Sequence, residues 1–499
     1  MLCNVAWAQT TFLGMIYQNE NQSDGMKECL KRIQENQPKY EDDGEMVYGD
    51  QGIVGDQLTV ERAANSLDQL RNGFTAEQRC DGLHVEVADF HTSMKLLQLT
   101  MDRFYQSKSS TDKCSLYSDK VLINRKNLKS DVSKNKNYNH CKKFVQLELE
   151  ARIVAAACQE LEVEFSTNAL DHETLQSLET KEDRKIFLND VASKIVDKFI
   201  LPEKNNKEWI RASEKEKELK DDVERFKEDG YYKCRFDGCN KRYKDDGVLR
   251  RKHELTHNGF VYEEPSIANQ VKYVSNDDDD DMYNYQTSFM QLAMVIYNFH
   301  DAISEGDGDR ILRQWKFMLL FYKADDPHSP KYCVEAFYLL IQYYALLAPQ
   351  TAERLIWNRF SKSVHGPGGN IPLDMALEHF NKILKNGIRN MGPNNSSQKA
   401  VDRFCKAIVV NKAILENFDS TCKIIKRHGR HREIKATDDI EKLTNELLQQ
   451  KALTVSSEPR QYNFFKALSP SLLDKFNFHK LYEWIDKHKK NIITLRAAR

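Results

Sequence analysis

The chain of 499 residues carries 74 Lys or Arg against 75 Asp or Glu, a formal net charge of −1, with 40% hydrophobic residues. That apolar content builds packed cores and excludes a chain disordered throughout, and the length suits two or three domains of about 100–200 residues each. Its 20 glycines and 11 prolines are too few for a collagen-like or turn-dense all-β architecture.

Met1–Tyr17 has no basic segment ahead of an apolar run and no small-residue cleavage site. The most apolar stretch, Val334–Ala348, is shorter than the roughly 20 residues a membrane-spanning helix needs, and it contains Gln342. The expectation is an intracellular chain with no membrane partner. Of the 11 cysteines only Cys234 and Cys239 are close in sequence, which suits a reducing compartment and not a disulfide framework.

In chain order, Thr59–Arg71 places Val60, Ala64, Leu67 and Leu70 on one helical stripe. Leu83–Val87 alternates as a short strand does, and Thr92–Tyr105 and Phe144–Leu161 read as helices. Phe187–Ile200 is an amphipathic helix closed by Pro202. Glu203–Glu228 is dominated by charge, and Asp277–Asp281 is a five-aspartate run expected to stay extended as a tether. Tyr283–Ala302, Arg310–Tyr322, Tyr332–Leu347, Thr351–Phe360 and Leu373–Gly387 are helical, with Gly387 expected near a helix end. The predicted fold is therefore mainly α, with a few short strands, split by an inserted ββα unit. Residues 1–201 form an N-terminal helical half, 202–230 a charged linker or solvated helix, 231–260 the insert, 261–282 an acidic linker and 283–499 a C-terminal helical half.

The insert carries the most specific motif. Cys234 and Cys239 are separated by four residues, thirteen more precede His253, and three lie between His253 and His257. Two thiolates on a hairpin knuckle and two imidazoles one helical turn apart supply the four ligands of a structural zinc ion. Tyr232, Tyr243 and Leu249 are the expected apolar support, and in so small a unit the metal supplies the folding energy. The gap between Cys239 and His253 is one longer than the usual ~12, which leaves the helix register open. Tyr231–Phe260 holds eight Lys or Arg against four Asp or Glu, and Arg250, Arg251 and Lys252 precede the first histidine as candidate contacts to DNA or RNA. A lone finger reads only about 3 bp, so a protein-docking role is the competing expectation. The basic segment Lys423–Lys435 is a candidate nuclear-localisation or nucleic-acid patch, against a solvated helix end.

Several strings outside the insert carry a family resemblance. They are Gly55-Asp-Gln-Leu-Thr-Val-Glu-Arg62, Ala88-Asp-Phe-His91, Leu122-Ile-Asn-Arg-Lys-Asn127 and Gly306-Asp-Gly-Asp-Arg310 leading to Trp315-Lys316. Leu355-Ile-Trp-Asn-Arg-Phe360 and Gly368-Gly-Asn-Ile-Pro-Leu-Asp-Met-Ala-Leu-Glu-His379 complete the set. Together they resemble the domain of unknown function 6589 family across about residues 10–395. The resemblance implies mobile-element descent, no established activity and an N-terminally incomplete copy, while the finger and the basic segment make the nucleus the expected location. Such descent raises an enzymatic alternative, a transposase of the RNase H type holding divalent metal ions with three carboxylates. The candidates are Asp56 after Ile53-Val54-Gly55, Asp89 after the Leu83–Val87 strand, and Glu378 one helical turn beyond Asp374. Only 33 residues separate Asp56 from Asp89, which is tight for two further strands and a helix, so no detectable activity is the stronger expectation. Capping of the following helix by Asp56 is the competing structural role.

Overall fold

A computed structural model of the chain describes residues 13–496 apart from 14, 134, 166, 168–177, 202–209, 212–213, 215–226, 245–247, 260–279, 325–329, 363–367, 393–396, 425–435 and 475. Most of the charged linker, most of the aspartate run and most of the Lys423–Lys435 patch lie outside the described residues. The fold is mostly helical, as the apolar periodicity requires. The chain divides into two compact units, one of Met1–Ala151, Leu292–Leu443 and Lys487–Arg499, the other of Arg152–Gln291 and Thr444–Asp486.

The first unit begins with helix α1 (Ser23–Gln34), a hairpin of β1 (Lys39–Asp42) and β2 (Glu45–Tyr48), and strand β3 (Gln51–Gly55). Helices α2 (Gln57–Leu70) and α3 (Ala76–Arg79) then lead to β4 (Leu83–Val87), which pairs parallel with β3 from Gln51↔Leu83 to Gly55↔Val87. Asp56 ends β3 and starts α2, its carboxylate accepting from Thr59 N at 2.8 Å. Helices α4 (Asp89–Phe104), α5 (Leu116–Leu122) and α6 (Asn135–Glu160) follow. Leu83, Val85 and Val87 are buried because α2 and the later helix Pro330–Ile341 pack on β4.

In the second unit, α7 (Lys181–Ile195) starts at a capping box in which Thr180 and Asp183 satisfy each other's backbone N–H groups. The finger contributes β5 (Lys227–Glu228), β6 (Tyr231–Lys233), β7 (Arg242–Tyr243) and α8 (Val248–Glu254). Helix α9 (Asp281–Glu305) corrects the tether expectation at its start. Asp280 and Asp281 are buried. Asp280 accepts from Ser456 N at 3.0 Å and pairs with Arg460, and Asp281 accepts from Tyr462 N at 3.1 Å and Ala467 N at 2.9 Å. Like charges repel in water, but here each finds donors on the folded segment that follows α15 (Ala436–Gln449).

The rest of the first unit is α10 (Gly308–Ala324), α11 (Pro330–Ile341), α12 (Pro349–Trp357), the hairpin β8 (Phe360–Lys362) with β9 (Asn370–Pro372), α13 (Leu373–Met391) and α14 (Gln398–Thr421). Helix α16 (Phe478–Arg496) lies at the end of the chain. The apolar 334–348 stretch is α11 plus a π-helical turn, Gln342–Leu346, where Gln342 donates to Val85 O at 2.8 Å. Gly387 does not end its helix. It lies inside α13, where a Cβ would sit 2.0 Å from the Phe404 ring of α14, and Gly392, with φ +75°, closes the helix instead.

Candidate metal centre and the acidic strand edge

The finger folds from its turns outward. Strand β6 pairs antiparallel with β7 (Tyr232↔Tyr243, Lys233↔Arg242), and Cys234 N donates to Lys241 O at 2.9 Å. Cys239 N donates to Phe236 O at 3.0 Å across a knuckle in which Gly238 takes φ +87°, a conformation costly for other residues. Helix α8 ends at Glu254, and a tighter turn, with His257 N donating to Glu254 O at 3.2 Å, brings the second histidine round. The four ligand atoms then meet. Cys239 Sγ lies 3.2 Å from His253 Nε2, Cys234 Sγ lies 3.5 Å from His257 Nε2, and the two Nε2 atoms are 3.1 Å apart. All four lie within 4.8 Å of one another and can hold a metal ion.

The support of this site differs from the sequence expectation. Tyr243 packs against the His253 ring at 5.7 Å, as the pattern requires. Phe236 stacks on His257 at 4.3 Å with the rings nearly parallel, a role that only its position inside the knuckle hinted at. Leu249 is not core: it is 75% exposed. Arg250, expected as a nucleic-acid contact, is fully buried in its place, one helical step on. Its guanidinium lies 5.6 Å from the Tyr232 ring centroid and 3.2 Å from Glu254, which also accepts from Arg235 N at 3.0 Å. The thirteen-residue gap shifts the helix so that an arginine enters the position an apolar residue was expected to fill. Arg251 and Lys252 remain exposed, as do Lys241 and Lys244.

The first unit gathers the other candidates at the C-terminal edge of β3 and β4. Asp89 follows β4 but does not face an open site. It is buried, with Oδ1 accepting from Trp315 Nε1 at 3.0 Å and Arg359 Nη2 at 2.8 Å, and Oδ2 accepting from Arg359 Nε at 2.9 Å. Both oxygens accept hydrogen bonds, and the pair with Arg359 is buried. Asp374, which sequence reasoning noted only as a neighbour of Glu378, is the acid that faces α4. It accepts from Phe90 N and His91 N at 3.1 Å each and from His91 Nδ1 at 3.0 Å, capping that helix from another element. The Asp374 contact raises His91 above its ordinary pKa against the opposing effect of burial, and Asp56 and Glu378 add to the rise. Asp374 therefore touches the imidazole directly, and Asp56 and Glu378 act on it through their charge. Among the described residues, however, only the Cys–His quartet brings three or more ligand atoms within 4.8 Å, and Asp56, Asp89 and Glu378 do not form such a set.

The family-like strings other than Leu122–Asn127 meet around this edge. Arg359 of one holds Asp89 of another, and Asp374 of a third holds His91. Asp307 caps α10 by accepting from Arg310 N at 3.0 Å. Gly308 passes so close to Ile356 that a Cβ would lie 2.7 Å from its carbonyl oxygen. A family model described as a family of unknown function, DUF6589, matches residues 4–431. The chain belongs to that family. The matched span covers both the strand edge and the finger residues, although the match does not by itself identify the finger. No curated protein and no solved structure matches the chain. Among the described residues, no helix is long and apolar enough to cross a membrane.

Proposed function

We propose that this chain is a nuclear, zinc-binding protein of mobile-element descent that contacts nucleic acid through its single finger. The convergence of Cys234, Cys239, His253 and His257 on one focus carries the reading. Bond lengths of about 2.3 Å to sulfur and 2.0–2.1 Å to nitrogen give a zinc tetrahedron S–N edges of roughly 3.5 Å and an N–N edge of roughly 3.3 Å, and the finger's separations lie close to these. Zinc held there ties the knuckle to α8 and supplies folding energy and no chemistry. The exposed Arg251, Lys252, Lys241 and Lys244 are the cations suited to phosphate contact, and Arg250, being buried, supports the finger from within.

Full-length protein should contain one zinc per chain by elemental analysis, and Cys234→Ser should lose it. Zinc-loaded protein should bind duplex DNA or RNA with an affinity that falls with salt. Replacing Arg251 and Lys252 by alanine should weaken binding and reduce the salt slope by about one per cation removed. Salt-independent binding, or none at low salt, would leave the exposed Leu249 and Leu255 as the argument for a protein-docking finger.

A second reading, a divalent-metal phosphoryl transferase, is favoured by one observation: Asp374 bonds His91 Nδ1 at 3.0 Å at the edge of β3 and β4, and the charges of Asp56 and Glu378 act on the same imidazole. Its test is Mg²⁺- or Mn²⁺-dependent DNA cleavage that Glu378→Gln abolishes. The absence of cleavage with either metal refutes it.

A further inference from the structure

Within the first unit, the part of α6 up to Ala151 and the part of α9 from Leu292 line a cavity of about 180 Å³. Lys142 and Gln146 face it from one helix, and Tyr297, His300, Asp301 and Ser304 from the other. Most of the Lys142 side chain is withdrawn from water, and among the described residues its amine makes no hydrogen bond or ion pair. A desolvated ammonium without a counter-charge is costly. Accordingly, burial lowers its pKa.

The neighbouring groups do not supply that counter-charge. Asp301, the one acid on the wall, pairs with Arg310. The amide nitrogen of Gln146 donates to Glu150 at 2.8 Å. His300 is half-buried, with Nε2 bonded to Ser93 and to Tyr138 at 3.1 Å, and its withdrawal from water together with Lys142 lowers its pKa well below the ordinary value. The hydroxyls of Tyr297 and Ser304 have no hydrogen-bond partner among the described residues. The cavity thus offers one cation and two hydroxyl donors over an apolar floor that includes Val145 and Ile296.

We propose that this cavity binds one small oxyanion, a phosphate or carboxylate group, with Lys142 as its counter-charge and the Tyr297 and Ser304 hydroxyls as donors. The volume is well below the ~300–1,000 Å³ of sites that enclose a drug-sized ligand, so it admits a single such group and not a whole nucleotide. The anion is either a free ion or the charged end of a longer molecule reaching in.

The experiment is calorimetric titration of the full, zinc-loaded chain with inorganic phosphate and, separately, with acetate. Ionic strength is held constant with chloride, and no nucleic acid is present, so the outcome is independent of the finger. Saturable binding of either anion, weakened at least tenfold in Lys142→Met and also in Tyr297→Phe/Ser304→Ala, is the expected result. Tighter phosphate binding would identify a phosphate source, and tighter acetate binding a carboxylate source. Lys142→Met keeps an apolar chain of similar length and removes an unpaired charge, so in chloride it should melt at or above the parent temperature. Failure of either anion to saturate, equal binding by Lys142→Met, or unfolding of that variant would overturn the proposal.

Discussion

Replacing Arg359 by methionine tests whether Asp89 is structural. The substitution removes Nε, 2.9 Å from Asp89 Oδ2, and Nη2, 2.8 Å from Oδ1, together with the bond from Nη2 to Val87 O. Among the described residues, Trp315 Nε1 is then the one hydrogen-bond donor left to a buried carboxylate. Breaking a buried ion pair from one side costs about 3–5 kcal/mol because the surviving charge is stranded. Set against a total stability of ~5–15 kcal/mol, that is a large fraction.

The pH dependence adds a signature. Burial raises the Asp89 carboxyl above its ordinary 3.8, and Arg359 is the main group that opposes the rise. Without the guanidinium the folded-state pKa climbs further. A raised carboxyl costs nothing below 3.8, where both states are protonated, and its penalty grows as pH rises towards the folded value. The stability deficit of Arg359→Met should therefore be larger at pH 7 than at pH 4. Urea unfolding followed by circular dichroism measures it. Asp89→Asn combined with Arg359→Met should cost less than the two singles summed, with a coupling of about 1–3 kcal/mol. A single-variant loss below about 1 kcal/mol, or strict additivity, would refute the buried-pair account.

Within the finger, Arg250→Ala should destabilise the zinc-loaded fold by about 1–3 kcal/mol, since it empties a buried position beside Tyr232 and leaves Glu254 with Arg235 alone as its cation, whereas Arg251→Ala should stay within about 0.5 kcal/mol. Thermal melting of both variants separates a buried arginine from an exposed one. His91 should titrate by NMR above its ordinary 6.5, and Asp374→Asn should bring it back down. Because the folded pKa is the higher one, the stabilisation from this pair is full below 6.5 and fades as pH rises through the folded value. A His91 value at or below 6.5 would contradict the observed contact. Gly308→Ala should destabilise by about 1–3 kcal/mol, although alanine usually favours a helix, because the new methyl meets the Ile356 backbone. An unchanged urea midpoint would show that α10 and α12 can move apart.

The helical character, the Leu83–Val87 strand and the four finger ligands were legible in the sequence, because each rests on local spacing: 3.6 for a helix, 2 for a strand, and fixed gaps for a tetrahedral site. The capping role of Asp56 was legible for the same reason, since its partner is Thr59. What each acid and base touches was not. Asp89 looks like a catalytic carboxylate at a strand end until Arg359, 270 residues away, is seen to fill both its oxygens. Asp374 serves a helix 284 residues earlier in the chain. Asp280 and Asp281 end a charge run that local rules read as solvated, yet donors near residue 460 bury them. Arg250 and Leu249 exchange places because one extra residue turns α8, and periodicity cannot choose between two positions one step apart. Spacing along the chain thus determined which elements form and which four residues can share a metal. The tertiary structure decided the role of each charged side chain, because the energy of a buried charge depends on partners that arrive from distant sequence.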